Sequence, residues 1–255
     1  MKLAIHSDLH LECNNLPENF LSNEDYDVLV LAGDIVTYDT MFRLERITKL
    51  TSKPILYVLG NHEFYTKDKT ASVSSILDDY KTLCNSLGIT LLNNSKAVVD
   101  GVTFVGSTAW STMTSYPELL SCDYTIRMRN GLSDFHMIPD WDVMDMVMEA
   151  QRCRNYIYSN IHTEQCDVLI THFPLSRKLD NPKFVPSAIT NYFVNEWMDD
   201  ADYCDRKVKA YVYGHTHGYK GDEPVVVNGV PCYDNQHGYF KECEDSYNPN
   251  YIVEV

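Results

Sequence analysis

Five short apolar segments of the chain each run directly into polar residues of the kinds that bind metal ions. Apolar segments of this length, ending in turn-forming residues, are typical of buried strands. The five polar segments that follow them are Asp8–His10, Gly33–Asp34, Gly60–Glu63, His172 and Gly214–His217. Because ligands of open α/β sheets bind outside the carboxyl ends of the strands, this pattern predicts one site assembled from distant parts of the chain.

The order of apolar segments predicts the fold class. Eight segments are predicted to be strands, namely Leu3–Ser7, Val28–Ala32, Ile55–Leu59, Val102–Gly106, Val168–Thr171, Ala210–Tyr213, Val225–Val227 and Ile252–Val255. Helical spacing of apolar residues predicts helices over 39–50, 70–86 and 141–161, the last with Asp140 as its N-cap. Strands that alternate with helices indicate an α/β layered domain with a mixed sheet, or with two sheets packed together between helices.

The domain organisation follows from the absence of any linker or repeat in the sequence. We expect a single domain over residues 1–255. The stretch from about 110 to 140 fits the strand and helix pattern poorly, and we expect a cap-like excursion there, over one end of the sheets.

Charge and composition restrict the class of partner. The 255 residues include 21 Lys plus Arg and 36 Asp plus Glu, for a formal charge of −15. Extended binding to nucleic-acid backbone depends on Lys and Arg and is therefore disfavoured. The negative charge does not exclude a small phosphorylated substrate, because bound metal cations can reverse the local field in a cleft. No apolar run reaches the length of a membrane span, and the oligomeric state is left open.

The eight cysteines contain no C-x-x-C pair and match neither a zinc ribbon nor a small disulfide scaffold. Free, mostly buried thiols are the preferred interpretation. Together with a charged residue too early for a signal peptide, this predicts a cytoplasmic protein.

The residue types at the strand ends indicate the class of metal. Carboxylate, imidazole and carboxamide groups without thiolate suit Mn, Fe, Zn or Ni. Asp8 and His10 are two residues apart, so in extended backbone they face the same side and can hold one ion. Any one of these motifs alone could be an ordinary strand-end turn, but all five in this order favour a metal site.

The motif series resembles that of the calcineurin-like metallophosphoesterases, over nearly the whole chain. The Ser7–Glu12 opening is closest to the small bacterial and phage members. The resemblance implies a four-layer α/β/β/α sandwich with two mixed sheets and two divalent metal ions, manganese first, with iron, zinc or nickel as alternatives. One ion would be held by Asp8, His10, Asp34 and His217. The other would be held by Asp34, Asn61, His172 and His215, with Asp34 bridging.

Two-metal chemistry then predicts the reaction. The ions would clamp a phosphate and lower the pKa of a bridging water, whose hydroxide attacks phosphorus in line. His62 would protonate the leaving oxygen; the alternative is a supporting histidine hydrogen-bonded to a carboxylate such as Asp34. We expect a phosphoesterase of diesters, monoesters or both, acting on a small nucleotide-like substrate. The alternative is a catalytically weak metal-binding scaffold or accessory subunit of the same fold.

Substrate-binding residues are less constrained by the sequence. Arg127 and Arg129 lie in the 110–140 stretch, where a cation could reach a phosphate or form a solvated surface pair. Relatives often have Asn-Pro-Arg-Gly-Tyr where this chain has Asn235-Gln236-His237-Gly238-Tyr239. His237 is therefore a candidate replacement for a substrate-binding arginine. His6 is expected to be a core histidine.

Overall fold

The computed structural model describes residues 1–112, 122–162, 166–184, 189–200, 208–218, 223–240, 242–243 and 246–255. Their strands are β1 (Lys2–His6), β2 (Val28–Ala32), β3 (Ile55–Val58), β4 (Ile89–Leu91), β5 (Ser95–Val99), β6 (Val102–Ser107), β7 (Val168–Thr171), β8 (Ala210–Val212), β9 (Val225–Val227), β10 (Val230–Tyr233) and β11 (Ile252–Glu254). Their α-helices are α1 (Leu44–Thr48), α2 (Val73–Leu87), α3 (Cys122–Gly131), α4 (Asp134–Met137), α5 (Val143–His162) and α6 (Thr190–Phe193). Short 3-10 helices span Tyr38–Arg43, His62–Phe64, Arg177–Leu179, Pro182–Phe184 and Trp197–Asp199.

The described strands form two mixed sheets. The first has the order β11-β1-β2-β3-β4, parallel except for β11, which pairs antiparallel with β1. The second has the order β5-β6-β7-β8-β10-β9, with β5 and β9 antiparallel at its two edges. An isolated parallel bridge between Ser7 and Gln236 joins the end of β1 to the segment after β10. The bridge thereby links the two sheets beside the carboxyl end of β1.

Successive residues of the buried strands belong to two different hydrophobic clusters, one on each face of the sheet. In β2, Val28 and Val30 belong to a cluster that also contains Phe104, Val168 and Val212 of the second sheet. The intervening Leu29 and Leu31 belong instead to the cluster that contains the inner faces of α2 and α5. Because successive strand residues point to opposite faces, each sheet is covered on both sides. The layers are helix, sheet, sheet and helix, which confirms the predicted four-layer α/β/β/α arrangement.

All eight predicted strands are present, with ends shifted by one residue at most. The strands β4, β5 and β10 were not predicted, because polar residues or a proline interrupt their apolar character and β5 alternates exposed with half-buried residues. The predicted helix over 39–50 is a 3-10 helix followed by α1. The prediction of Asp140 as the cap of α5 was wrong, because the side chain of Asp142 accepts the Met144 N–H at 2.8 Å.

The described part of the 110–140 stretch contains the helices α3 and α4, whereas residues 113–121 lie outside the described part. The turn between these helices lies at the cleft described below. Among the described helices, none has both the length and the apolar character needed to cross a bilayer. No disulfide joins the six cysteines whose thiols the structure describes, and five of these thiols are buried.

Candidate metal centre

The predicted donors converge because parallel strands end at one edge of each sheet. Asp8 follows β1, Asp34 follows β2, and Asn61 follows β3 in the first sheet. His172 follows β7 and His215 follows β8 in the second sheet. The two edges meet, so that the Nε2 atom of His172 lies 3.4 Å from Oδ2 of Asp34. Residues more than a hundred positions apart thus share one buried cluster.

The backbone leaves extended geometry abruptly at these positions. Five of the seven predicted donors have φ in the left-handed region, at +53° for Asp8, +45° for His10, +55° for Asp34, +76° for His215 and +45° for His217. Such values are rare for residues with a Cβ and cluster at functional sites, where packing holds them. The turns direct donor side chains into the space beyond the strands.

Two glycines are required by space, and one of them, Gly33, also by conformation. Gly33 has a φ of +86°, and a Cβ there would lie 2.6 Å from Cγ of His172. Gly60 has no positive φ, but its Cβ would lie 2.7 Å from the Asp34 nitrogen and 2.8 Å from Nε2 of His172. The two sheets can therefore approach each other closely at these donors only because residues 33 and 60 have no side chain.

One group of donors consists of Asp8, His10 and His217. The Nε2 atom of His217 lies 3.2 Å from Oδ1 of Asp8 and 3.2 Å from Nε2 of His10. The carboxylate of Asp8 also accepts the His215 N–H, which ties the first strand end to the last. The Nδ1 atom of His217 is paired with Glu242 at 2.7 Å, so its Nε2 is the atom that faces the group.

A second group consists of Asp34, His172 and His215. The Nδ1 atom of His172 is bonded to the Ala32 carbonyl at 2.9 Å, which leaves Nε2 for the cluster. That Nε2 lies 3.1 Å from Nδ1 of His215 and 3.1 Å from Oδ1 of Asn61. Asn61 thereby joins this group, while Oδ2 of Asp34 also lies 3.9 Å from Nε2 of His10.

Two carboxylates that no motif reasoning assigned a role hold these donors in place. Glu63 is fully buried and accepts the backbone N–H groups of Asp34, Ile35 and Gly60, together with the Tyr57 hydroxyl. It therefore fixes the loops after β2 and β3 to each other. Its position in Gly60–Glu63 was visible in the sequence, but only the fold shows what it binds.

The second is Asp134, on α4 in the 110–140 stretch. Its Oδ1 accepts the Asn61 amide at 2.9 Å and the Tyr65 hydroxyl at 2.6 Å, and its Oδ2 accepts the Tyr192 hydroxyl. The amide nitrogen of Asn61 is thereby engaged, and its oxygen is directed toward His172. No sequence signal distinguished Asp134 from other acidic residues.

His62 lies at the cleft, between two partners. Its Nδ1 is 3.1 Å from Oε1 of Glu12, and its Nε2 is 3.0 Å from the Tyr239 hydroxyl. The same Glu12 oxygen lies 2.9 Å from Nδ1 of His10. Asp34 accepts the backbone N–H of His62 and not its ring. Glu12, and not Asp34 as suggested from the sequence, is therefore the carboxylate that contacts the His62 ring.

The predicted substrate-binding residues lie elsewhere. Arg129 pairs with Asp142 at 3.1 Å on the surface, and neither Arg127 nor Arg129 is among the described residues that line the cleft. His237 faces Asn14 and the Tyr247 ring, also outside the described lining. The structure therefore brings none of the three to the cluster.

Gln236, the residue before His237, contacts the backbone of the predicted donor His217. Its Oε1 accepts the His217 N–H at 2.7 Å, and its amide donates to Asp234 at 2.8 Å. A proline at this position, as in the related motif, could accept no such bond through its side chain. The glutamine at position 236, which stands where the related motif has proline, thus stabilises the turn that carries His217.

The electrostatics of the cluster favour bound cations. Burial opposes ionisation of Asp8 and Asp34, yet the surrounding histidines lower the pKa of both carboxyls, that of Asp34 well below its ordinary value. Against the effect of burial, Asp34 and Asp8 raise the pKa of His172 to about 9, and Asp8 together with Glu242 raises the pKa of His217 to about 10. The field therefore stabilises positive charge within the cluster.

The donor set also fits divalent ions on structural grounds. In each of the two donor groups, ligand atoms of three side chains lie within 4.8 Å of one another, close enough for one ion to contact all three. The imidazole, carboxylate and amide donors match the ligand types of Mn, Fe, Zn and Ni. The residues predicted to bind two ions are thus compatible with that role.

A cleft opens beside the cluster, with a volume of about 290 Å³. Its described lining includes His62, Tyr65, Leu132, Ile189, Phe193 and Tyr239. This is at the lower end of the range of roughly 300–1,000 Å³ for small-molecule sites. The space suits a small ligand whose reactive group lies at the predicted donors.

Known proteins share both the sequence pattern and the fold. The profile of a family described as calcineurin-like phosphoesterase matches residues 1–219. "Uncharacterized protein L509" of Acanthamoeba polyphaga mimivirus is 26% identical over 281 residues, which cover 98% of this chain and 95% of the viral protein. The structure of a phosphopantetheinyl hydrolase from Mycobacterium tuberculosis is similar with a TM-score of 0.76 at 19% identity, over 100% of this chain and 95% of that chain. The last comparison confirms the predicted fold.

Proposed function

The chain belongs to the calcineurin-like phosphoesterase family, and from that premise we propose that it hydrolyses small phosphate esters at a two-metal site. One ion would be held by Asp8, His10, Asp34 and His217. The other would be held by Asp34, Asn61, His172 and His215. Manganese is the first candidate, with iron, zinc and nickel as alternatives.

The observation that carries this proposal is the position of Asp34. Its Oδ2 atom lies 3.4 Å from Nε2 of His172 and 3.9 Å from Nε2 of His10. One carboxylate oxygen thus faces a histidine of each donor group, as is required of a ligand that two ions would share. Bound ions at such a site polarise a phosphoryl group and supply a nucleophile at neutral pH.

The chain's own residues would orient the donors and move the proton. Glu12 holds Nδ1 of His62, so the other ring nitrogen, Nε2, is the one that faces the cleft and Tyr239. Although burial opposes it, the carboxylates of Asp34 and Glu12 raise the pKa of His62. A protonated Nε2 would donate to the leaving oxygen of the ester, which is the catalytic role proposed for His62.

The substrate class proposed is a small nucleotide-like monoester or diester. The volume of the cleft supports a ligand of that size. The relative from Mycobacterium tuberculosis is named for hydrolysis of a phosphopantetheinyl group, so a phosphopantetheinyl ester belongs in the substrate panel. Extended nucleic acids are disfavoured as substrates by the formal charge of −15.

Metal reconstitution tests the proposal. The full chain would be stripped with chelator, reloaded separately with manganese, iron, zinc or nickel, and assayed on nitrophenyl phosphate and its bis-ester. We expect metal-dependent turnover of at least one ester. Turnover with no metal added back after stripping, or none with any metal, would contradict the proposal and in the second case favour a scaffold.

Metal content separates ligand loss from catalytic loss. Asn61→Ala and His215→Ala should each bind less metal, as measured by elemental analysis after gel filtration. His62→Ala should keep its metal and lose monoester turnover. His136→Ala, a histidine exposed on α4, is the matched control and should keep both metal and turnover.

A further inference from the structure

One wall of the cleft is apolar and begins directly beside the predicted donors. Leu132 is buried, while Ile189 and Phe193 are half-buried, and all three line the cleft. The Phe193 ring lies 5.6 Å from the ring of His215, at an interplanar angle of 30°. A group attached to a phosphoryl at the donors would therefore contact hydrocarbon first.

Two of the tyrosines that line the cleft add ring surface without free hydroxyls. Tyr65 and Tyr192 both direct their hydroxyls to the buried carboxylate of Asp134. A phenol has a single O–H to donate, so these two donors are already used. Asp134 thus makes the wall less polar than its composition suggests.

The charged side chains at the cleft do not suit a second phosphoryl group. Apart from the predicted donors and His62, the described lining carries the acidic groups Asp134, Asp180 and Glu242, and it includes no Lys or Arg. Recognition of an additional phosphate normally uses such a cation. Acidic neighbours would instead repel it.

We propose that the wall formed by Leu132, Ile189, Tyr192 and Phe193 binds an uncharged aromatic or aliphatic group of the substrate. The site then selects esters with one phosphoryl group joined to such a group, over substrates with further anionic groups. This rests on the proposed function, since it places the phosphoryl group at the predicted donors. A nucleoside monophosphate or cyclic nucleotide, with its base on the wall, meets this description, and a nucleoside triphosphate does not.

Phosphonates test the wall independently of turnover, because the carbon–phosphorus bond is not hydrolysed. Methylphosphonate, phenylphosphonate and 4-carboxyphenylphosphonate would be titrated calorimetrically into the full chain loaded with manganese. Phenylphosphonate should bind about three- to tenfold more tightly than methylphosphonate, the range expected for aromatic contacts. The added carboxylate should remove this gain.

Variants identify the residues. Phe193→Ala should reduce the preference for phenyl over methyl by about three- to tenfold while the affinity for methylphosphonate stays unchanged. Phe42→Ala is the matched control, since Phe42 is 62% exposed and outside the cleft. Ile189→Lys should raise the affinity for the carboxyphenyl compound relative to phenylphosphonate, a gain that an unfolded variant could not show.

The outcomes separate the two proposals. Equal affinity of wild type for phenyl- and methylphosphonate overturns the wall as a subsite, even if esters are hydrolysed. A phenyl preference that depends on Phe193, in a chain without ester turnover, supports the wall and overturns the proposed hydrolysis. Failure of every phosphonate to bind the metal-loaded chain overturns both.

Discussion

The carboxylate of Asp134 accepts the side-chain amide of Asn61 at 2.9 Å. It thereby determines which end of that amide faces His172 and the other predicted donors. An amide that rotated by half a turn would present N–H groups, which cannot bind a cation. The 110–140 stretch thus reaches the candidate metal centre through a buried carboxylate and not through its arginines.

Replacement of Asp134 tests this relationship. Asp134→Ala would leave the donors of Asn61, Tyr65 and Tyr192 buried without their acceptor. We expect a loss of about 2–3 kcal/mol in the free energy of unfolding, and a lower metal content. Chemical denaturation and elemental analysis measure the two effects. Asp25→Ala, at an exposed aspartate, should change neither, and full metal content in Asp134→Ala would contradict the assigned role.

Glu12 should control both His10 and His62, because one of its oxygens contacts Nδ1 of each ring. Burial opposes ionisation, but the two histidines lower the pKa of Glu12 to about 2. Glu12→Gln removes that charge at nearly constant shape. Carboxylate partners of metal-binding histidines are worth about 10–100-fold in metal affinity or activity, so a loss of that size is expected. Metal titration measures this loss, with Glu18→Gln, at an exposed glutamate, as the control. Unchanged metal affinity and turnover in Glu12→Gln would argue against this role of Glu12.

A methyl group at position 60 should disrupt the cluster. The added Cβ of Gly60→Ala would lie within 2.8 Å of Nε2 of His172, so either the loop or the histidine must move. Overpacking of this kind costs about 1–3 kcal/mol of stability, and metal binding should fall with it. Thermal unfolding and metal content report both. Gly131→Ala is the control, because its Cβ would meet only Ile189, at 4.0 Å. Equal tolerance of both changes would contradict the close approach.

His6 should make the metal-free protein sensitive to acid. Burial lowers its pKa from 6.5 to about 3, with a smaller contribution from His237. Between these values the unfolded chain binds a proton at His6 that the folded chain does not, so stability falls as the pH falls. From about pH 7 to about pH 5, wild type should lose roughly 2 kcal/mol more than His6→Gln.

Denaturant unfolding at the two pH values measures this difference. Glutamine keeps a polar partner near the Tyr247 hydroxyl, which contacts Nδ1 of His6 at 2.8 Å, but it does not titrate. His136→Gln is the surface control and should follow wild type. Parallel pH profiles for wild type and His6→Gln would show that His6 does not carry the effect.

Much of the fold could be predicted because its central strands are buried on both faces. Segments such as Val28–Ala32 and Val168–Thr171 are runs of apolar residues, broken only by Thr171 at the end of the second, and that local pattern is sufficient to indicate a strand. The strands β4, β5 and β10 could not be recognised in the same way. They have three to five residues each, with mixed burial, and are strands because of their neighbours in the sheet.

The sequence by itself determined the kinds of donor and their places at five strand ends, because apolar runs and the polar residues that end them are local features. Only the tertiary structure decided which groups act on those donors. Asp134, Glu12 and Gln236 contact Asn61, His62 and His217 across 73, 50 and 19 positions of the chain. Contacts between such distant residues depend on the order of strands within each sheet and on where α4 packs, and no local pattern encodes them.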